Sequence, residues 1–221
     1  TSTRWVQYLD QHDQIVHREE RTWSYTAWGT FYRALLDDFG LDRYVLGEFA
    51  AGFDQDENGV DVRFVSGRRE RAELVVFADG ISSIARSRID PSATMNYSGY
   101  VGWRGTVPEH TLSTHARQTL HDAISYTVVP NSHITMYPIP GENGVGPDDR
   151  LMNYVWYRNV PAGPELTEML VDKRGFTGAV SVHPGQVQDR YVAEMRAEAA
   201  RVFGPAIAEA VTGTATPYVQ V

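Results

Sequence analysis

Four consecutive segments in the middle of the sequence have the composition of β-strands. Each is rich in β-branched and aromatic residues, and turn-forming stretches separate one from the next. These segments cover residues 99–107, 124–129, 133–139 and 151–157. Because parallel pairing would require long crossover connections, four strands in close succession favour antiparallel neighbours. We therefore predict a mostly antiparallel sheet, with a Gly-, Pro- and Asp-rich loop at residues 141–149 before its last strand.

Helical patterns flank this predicted sheet on both sides. Trp28, Phe31 and Leu35 recur at helical spacing and Gly40 suits a C-terminal cap, which predicts a helix over residues 26–39. Further helices are predicted from Gly163-Pro164 to about residue 173, over residues 186–203 and over residues 206–211, with short strands at residues 5–9 and 217–221. The predicted fold class is α+β, an antiparallel sheet with helices.

Residues 26–90 have a different character. Segments 44–53, 60–65 and 72–78 alternate with turn signals and predict a small antiparallel meander. Because Leu74–Ala78 is continuously apolar, we expect its strand to be buried on both faces, as in a layered α/β domain. A short helix over 82–89 ends at Asp90-Pro91, where the composition changes. We predict one partial domain at 26–90 and another formed by 1–25 and 91–221.

The composition narrows the classes of function. The sequence has no Cys, which excludes disulfides and thiolate metal ligands. A net charge of -8 with a single Lys, Lys173, argues against a nucleic-acid partner. No apolar run approaches the roughly 20 residues of a membrane-spanning helix, and no secretory signal is recognisable, so we expect a cytoplasmic protein without a membrane partner. The oligomeric state is left open, with a homodimer as one expectation.

The sharpest local signal is the run from Val75 to Arg86. An apolar strand is followed at once by Asp79-Gly80 and by a Ser that can cap a helix. Open α/β sheets bind ligands at the carboxyl ends of their strands, where a carboxylate can accept hydrogen bonds from ligand hydroxyls and Gly permits a close backbone approach. An ordinary strand-to-helix turn is the alternative, since Asp-Gly and Ser-Ser are common turn residues.

This run resembles the Asp-Gly motif of the class A flavoprotein monooxygenases, the family of p-hydroxybenzoate hydroxylase. Asp79, Gly80, Ser83 and Arg86 stand at matching positions. Further blocks at residues 97–105, 137–141, 156–160 and 164–166 resemble the substrate domain of the same family. In that family the motif lies beside FAD, and its Asp and Arg take part in using the nicotinamide coenzyme. The resemblance thus implies that these four residues bind the cofactor, with FAD as cofactor and NAD(P)H as co-substrate.

The activity that the resemblance implies is hydroxylation of a small hydroxylated aromatic or N-heteroaromatic ring, with O2 as oxidant. Such a site must exclude water and help to ionise a ring hydroxyl. Period-two alternation puts His133, Thr135 and Tyr137 on one face of their strand and Met152, Tyr154 and Trp156 on one face of theirs. If both sets line one pocket, Tyr154, Tyr137 and His133 are the candidate catalytic residues, in that order, and Trp156 packs on the ring. The alternative is that these aromatic residues pack the sheet onto helices.

The sequence also departs from the family pattern. The Gly-rich fingerprint that holds the FAD pyrophosphate is absent, because Gly141-x-x-Gly144-x-Gly146 has the wrong order, and the later Gly-Asp motif is absent too. We expect both motifs upstream of Thr1 and downstream of Val221, so this stretch alone should hold FAD weakly. Trp28 stands where many relatives have an Arg, for which Arg33 is a weak substitute.

Two functions of other classes remain open. One is a flavin-free module that binds small aromatic molecules without redox chemistry. The other is a related flavoenzyme of different reaction type, such as a reductase or a halogenase. His110, His115 and His121 do not share a helical face, so no metal site is predicted from them.

Overall fold

The structure, a computed structural model, describes residues 1–141, 144, 146 and 148–221. Its chain forms two compact units, one made of Thr1–Phe31 and Tyr97–Val221, the other of Tyr32–Asn96. The strands are β1 (Ser2–Leu9), β2 (Ile15–Ser24), β3 (Ala50–Asp56), β4 (Gly59–Phe64), β5 (Arg69–Ala72), β6 (Tyr100–Pro108), β7 (Ala123–Val129), β8 (Ser132–Ile139), β9 (Leu151–Asn159), β10 (Ser181–Val182) and β11 (Tyr218–Gln220). The α-helices are α1 (Trp28–Phe39), α2 (Ile84–Ile89), α3 (Thr114–Leu120), α4 (Pro164–Met169), α5 (Asp189–Val202) and α6 (Pro205–Gly213).

The larger unit is built on an eight-stranded sheet with the order β10-β11-β6-β9-β8-β7-β1-β2. All neighbouring strands pair antiparallel except β1 and β7, which run parallel. The four strands predicted in succession are β6 to β9, and β6, β9, β8 and β7 are adjacent in the sheet. The predicted α+β class is confirmed.

One face of this sheet carries the main hydrophobic core. Trp103, Ile134, Met136 and Trp156 are fully buried there and belong to the same cluster as residues of α3, α5 and α6. The helices meet the sheet through their apolar positions, among them Ala116, Leu120, Tyr191, Met195, Ala199, Ile207 and Val211. Burial of this one face is what fixes the strand register, because a one-residue slip would turn every core side chain to the other side.

Strand β2 was not predicted from the sequence. Its ten residues are all exposed, so the strand shows no alternation of apolar and polar side chains that a sequence pattern could reveal. It is a strand because it pairs with β1 at the edge of the sheet. Its charged side chains are typical of an edge strand protected against pairing with another chain.

The smaller unit has a three-stranded meander, β3-β4-β5, and a small core of Phe53, Val62 and Ala85. The buried strand predicted at 72–78 is wrong: β5 ends at Ala72, and Leu74 and Val76 are each 78% exposed. A central strand exists only when neighbours pair with it, and no described residue pairs with 74–78. The run is buried on one side only: Val75 and Phe77 pack against the small core of Phe53, Val62 and Ala85, while Leu74 and Val76 are exposed.

The predicted loop at 141–149 includes residues 142, 143, 145 and 147, which lie outside the described residues, so its course is not described as a whole. None of the helices in the described part of the chain has the length and apolar character needed to cross a bilayer.

A buried carboxylate joins the β1–β2 turn to helix α6. Asp13, whose side chain is only 2% exposed, accepts a 2.9 Å hydrogen bond from the backbone N–H of Ala206 in the first turn of α6. Its Oδ2 also lies 2.7 Å from Nε2 of His115 on α3. A carboxylate at a helix N-terminus satisfies a backbone donor that has no partner within the helix.

We expect Asp13→Ala to lower the free energy of unfolding by about 1–2 kcal/mol, as for loss of a helix cap. Urea denaturation measures the change. Because Asp13 has a left-handed backbone (φ 61), Ala at this position also adds backbone strain. Asn131→Ala is the matched control, since Asn131 has the same conformation (φ 58) and caps no helix. Equal losses in the two variants would show that the cap contributes nothing.

Candidate functional site

The pairing of β8 with β9 separates the predicted catalytic tyrosines. Tyr154 stands opposite Met136, while Tyr137 stands opposite Asn153. Residues directly opposite one another in an antiparallel pair point to the same face, and adjacent residues along a strand point to opposite faces. Tyr137 and Tyr154 therefore lie on opposite faces of the sheet, and the expectation that both line one pocket is wrong.

Tyr154 is on the face that the helices cover. Its side chain is 0% exposed, and in the described part of the chain its hydroxyl makes no hydrogen bond, although Thr214 and Arg196 are neighbours. Burial raises the pKa of this hydroxyl to about 12. Trp156 lies on the same face, packs edge-on against Phe203 and donates its indole N–H to Ser132 Oγ at 2.8 Å. Both side chains pack the sheet onto helices, the alternative that the sequence left open.

Tyr137 lies on the other face, which we call the open face and define by Tyr8, Tyr126, Thr135, Tyr137, Asn153 and Tyr157. Two stacked pairs of tyrosines cover part of it, Tyr25 on Tyr137 with ring centroids 4.7 Å apart and Tyr8 on Tyr126 at 5.2 Å. Partial burial raises the pKa of Tyr25 and Tyr126. An aromatic surface with phenol hydroxyls along it can pack on a planar ring and hydrogen-bond its substituents.

His133 is also on the open face, at the far end of β8 from Tyr137. Its ring stacks on Tyr157 with a centroid distance of 4.7 Å, and Tyr100 meets Tyr157 edge-on. These three rings line a groove of about 580 Å³ together with residues of the β7–β8 turn, including Asn131. The structure thus places His133 and Tyr137 on one surface and Tyr154 away from both.

Residues that the sequence did not single out complete the open face. Tyr25, Tyr126 and Asn153 lie beside Tyr137 because three different chain segments meet there. Period-two alternation does place Asn153 on the face opposite Tyr154, so that signal was present. The position of Tyr25, which follows an unpredicted strand, had no sequence signal.

The Asp-Gly turn belongs to the smaller unit. Asp79 accepts a hydrogen bond from the backbone N–H of Ile84 at 3.2 Å, and Gly80 has a positive φ of 71° that a residue with Cβ adopts reluctantly. Ser83 caps α2 by accepting from the N–H of Arg86 at 3.4 Å. The guanidinium of Arg86 donates to the carbonyls of Ile81 and Gly80 at 2.5 and 2.6 Å. These bonds hold the four predicted cofactor residues in one turn.

The chemistry of this turn fits a ligand that carries hydroxyl groups. The hydrogen bond from Ser83, followed by those from backbone N–H groups and the charge of Arg86, lowers the pKa of the Asp79 carboxyl, which keeps it an acceptor at neutral pH. The carboxylate is exposed, and a Cβ at Gly80 would meet nothing within 4 Å, so a ligand has room to approach. The cofactor role of these residues stays a prediction.

Comparison with known proteins identifies the class of this chain. The chain belongs to the FAD binding domain-like family, whose model matches residues 97–221. The resemblance to class A flavoprotein monooxygenases is confirmed. The chain is 32% identical over 203 residues to 2,6-dihydroxypyridine 3-monooxygenase of Paenarthrobacter nicotinovorans, an alignment that covers 90% of this chain and 49% of the relative.

Solved structures agree in fold. The structure of 2,6-dihydroxypyridine-3-hydroxylase from Arthrobacter nicotinovorans superposes with a TM-score of 0.93 at 27% identity, covering 100% of this chain and 56% of that one. Klebsiella pneumoniae HpxO complexed with FAD and uric acid superposes with a TM-score of 0.70 at 18% identity, covering 99% and 51%. The chain spans about half the length of the relatives it matches.

We expect Tyr154→Phe to keep or raise the free energy of unfolding at neutral pH, because it removes a buried hydroxyl that makes no hydrogen bond. Since the folded-state pKa is about 12 and the ordinary value is 10, the unfolded state loses its proton first. The free energy of unfolding is therefore unaffected by Tyr154 ionisation below pH 10 and falls as the pH rises from 10 towards 12, because the unfolded state loses the proton that the folded state retains. Wild type should lose about 1 kcal/mol more than Tyr154→Phe between about pH 8 and 11.

Urea denaturation across this pH range measures the difference. Tyr8→Phe, on the opposite face of the same sheet, controls for the loss of one phenol. Parallel pH profiles for wild type and Tyr154→Phe would contradict the buried, neutral hydroxyl.

Proposed function

We propose that this chain is part of an FAD-dependent monooxygenase that hydroxylates a small hydroxylated aromatic or N-heteroaromatic ring, such as 2,6-dihydroxypyridine, with NAD(P)H and O2. The observation that carries the proposal is the open face, a tyrosine-lined surface on the sheet of a chain that belongs to an FAD-binding family. Membership of the class A group supports the reaction type. Similarity to the dihydroxypyridine enzyme supports the class of substrate.

The substrate ring lies against the open face in this proposal. Tyr137, backed by the stacked ring of Tyr25, packs on or beside the ring and hydrogen-bonds a ring hydroxyl. His133 is the second candidate to hold a proton on that face, since an imidazole nitrogen can donate or accept a hydrogen bond. Tyr154 contributes from the opposite face by supporting the strand that bears Asn153.

Asp79, Gly80, Ser83 and Arg86 are proposed to hold the cofactor. Asp79 accepts hydrogen bonds from the cofactor's hydroxyl groups, Gly80 allows its close approach, and Ser83 and Arg86 keep the turn in shape. FAD held by these residues would supply the redox chemistry, because its reduction by NAD(P)H would provide the two electrons with which O2 gives one oxygen atom to the ring and the other to water. The family model matches residues 97–221, so residues 79–86 lie outside the matched range. The assignment of 79–86 to the cofactor is therefore supported by the resemblance and by the geometry of the turn.

The domain assignment follows the same division of roles. We propose residues 26–90 as part of an FAD-binding domain and residues 1–25 with 91–221 as the substrate-binding domain. The proposed reaction belongs in the cytoplasm, where NAD(P)H is available.

The experiment that tests this function is spectroscopic. The complete monooxygenase of which this chain is proposed to be part, purified and reconstituted with FAD, should show the absorbance of oxidised flavin. In that protein 2,6-dihydroxypyridine should perturb the spectrum and stimulate NAD(P)H oxidation with formation of a hydroxylated product. Ring binding without any flavin binding would favour the flavin-free module instead. NAD(P)H oxidation without an oxygenated product would favour a reductase, and a halogenated product a halogenase.

Asp79→Asn tests the role of the Asp-Gly turn. We expect FAD affinity to fall about tenfold, because a neutral amide is a weaker acceptor for ligand hydroxyls than a carboxylate. Fluorescence titration with FAD measures this change. Asp90→Asn is the matched control, since Asp90 lies at the other end of α2 and accepts hydrogen bonds from Ser92 within its own turn. Equal FAD affinity in the two variants would remove Asp79 from the cofactor site.

A further inference from the structure

The side-chain amide of Asn153 lies beside Tyr137 and has no role in the site as described so far. Asn153 stands directly opposite Tyr137 on β8 and Thr106 on β6, so the three side chains form one row across the open face. Opposed residues in such rows have Cβ atoms about 5 Å apart. Asn153 is half-buried, and within the described part of the chain its amide makes no hydrogen bond. The hydroxyl of Tyr137 and that of Thr106 make none there either.

A half-buried polar group without a protein partner can hydrogen-bond a ligand that displaces its remaining water, and in an apolar setting that bond is stronger than in water. Next to Asn153 lie Val155, which is buried, and the ring of Tyr137, stacked on Tyr25. The apolar side chain of Val155 and the ring of Tyr137 can pack against a flat ring, and the Asn153 amide can hydrogen-bond the polar edge of that ring.

A carboxamide offers one acceptor, its carbonyl oxygen, and a donor, its NH2 group, side by side. The matching edge on a ring is a cyclic amide, –NH–C(=O)–, whose N–H donates to the Asn oxygen while its carbonyl accepts from the Asn nitrogen. Hydroxypyridines with the hydroxyl next to the ring nitrogen present this edge in their pyridone form. A phenol presents a hydroxyl and no ring N–H, so it can engage only half of the amide.

We propose that Asn153 is a specificity-determining residue that reads the lactam edge of an N-heteroaromatic substrate. This inference rests on the proposed function, and it narrows the substrate class from hydroxylated rings in general to those with a ring N–H beside a carbonyl. Tyr137 and Thr106 flank the amide and are within reach of the remaining ring substituents.

The test compares two rings of the same shape, 2,6-dihydroxypyridine and resorcinol, by calorimetric titration of the purified protein under anaerobic conditions without NAD(P)H. Loss of one neutral hydrogen bond corresponds to about fivefold in affinity. Because resorcinol makes one hydrogen bond to the amide and the pyridine makes two, wild type should bind the pyridine about fivefold more tightly than resorcinol. Asn153→Leu should abolish this preference, because it removes two hydrogen bonds from the pyridine complex and one from the resorcinol complex. 1-Methyl-2-pyridone, which lacks the N–H, should bind more weakly than 2-pyridone to wild type and equally to Asn153→Leu.

If Asn153→Leu is poorly folded, Asn153→Asp is the second variant, because it keeps the shape of the side chain. Its carboxylate can accept from the ring N–H and cannot donate to the ring carbonyl, so the preference for the pyridine should shrink here too. Asn159→Leu is the matched control, because Asn159 is on the same strand and the same face, opposite Tyr100 at the end of β9. That variant should keep the wild-type preference.

The outcomes separate this inference from the function on which it rests. If wild type binds both rings, Tyr137→Ala weakens both, and Asn153→Leu and Asn153→Asp keep the wild-type ratio, the role of Asn153 is overturned and the substrate face stands. If neither ring binds wild type, or Tyr137→Ala changes nothing, the proposed substrate face fails together with the inference.

Discussion

The register between β8 and β9 is the constraint on which the rest of this structure depends. By setting Met136 opposite Tyr154 and Tyr137 opposite Asn153, it sends alternate residues of each strand either into the helix-covered core or onto the open face. The core side holds the register in place, because Ile134, Met136 and Trp156 are fully buried and a slip would expose them. Stability on one face thus determines which side chains are available for binding on the other.

The same division of labour explains the two kinds of tyrosine in the sheet. Tyr154 fills core volume, and burial raises the pKa of its hydroxyl so that it stays neutral. Tyr137, Tyr126, Tyr8 and Tyr25 stack in pairs on the open face with their hydroxyls along a surface that the core does not need. A polar group such as the Asn153 amide is tolerated there, because the packing of the helices does not depend on it.

The Asp-Gly turn is organised by a different principle. Its geometry comes from local hydrogen bonds, with Ser83 capping α2 and Arg86 donating to two carbonyls of the turn. Local bonds of this kind are encoded by residues close in sequence, which is why Asp79, Gly80, Ser83 and Arg86 could be recognised together from the sequence. The apolar run before the turn depends instead on neighbours in a sheet, and in this structure Leu74 and Val76 are exposed.

The sequence by itself determined the α+β class, strands β6 to β9, most of the helices and the turn at Asp79-Gly80, because these follow from local patterns of period, capping and turn chemistry. It could not determine β2, whose exposed residues show no alternation. Nor could it determine whether residues 74–78 form a strand, since both features depend on pairing with distant segments. Nor could the sequence show that Tyr137 and Tyr154 lie on opposite faces of the sheet. Alternation gives the faces of one strand relative to itself, and only the register between strands, fixed by packing of the helices on one side, decides which faces coincide.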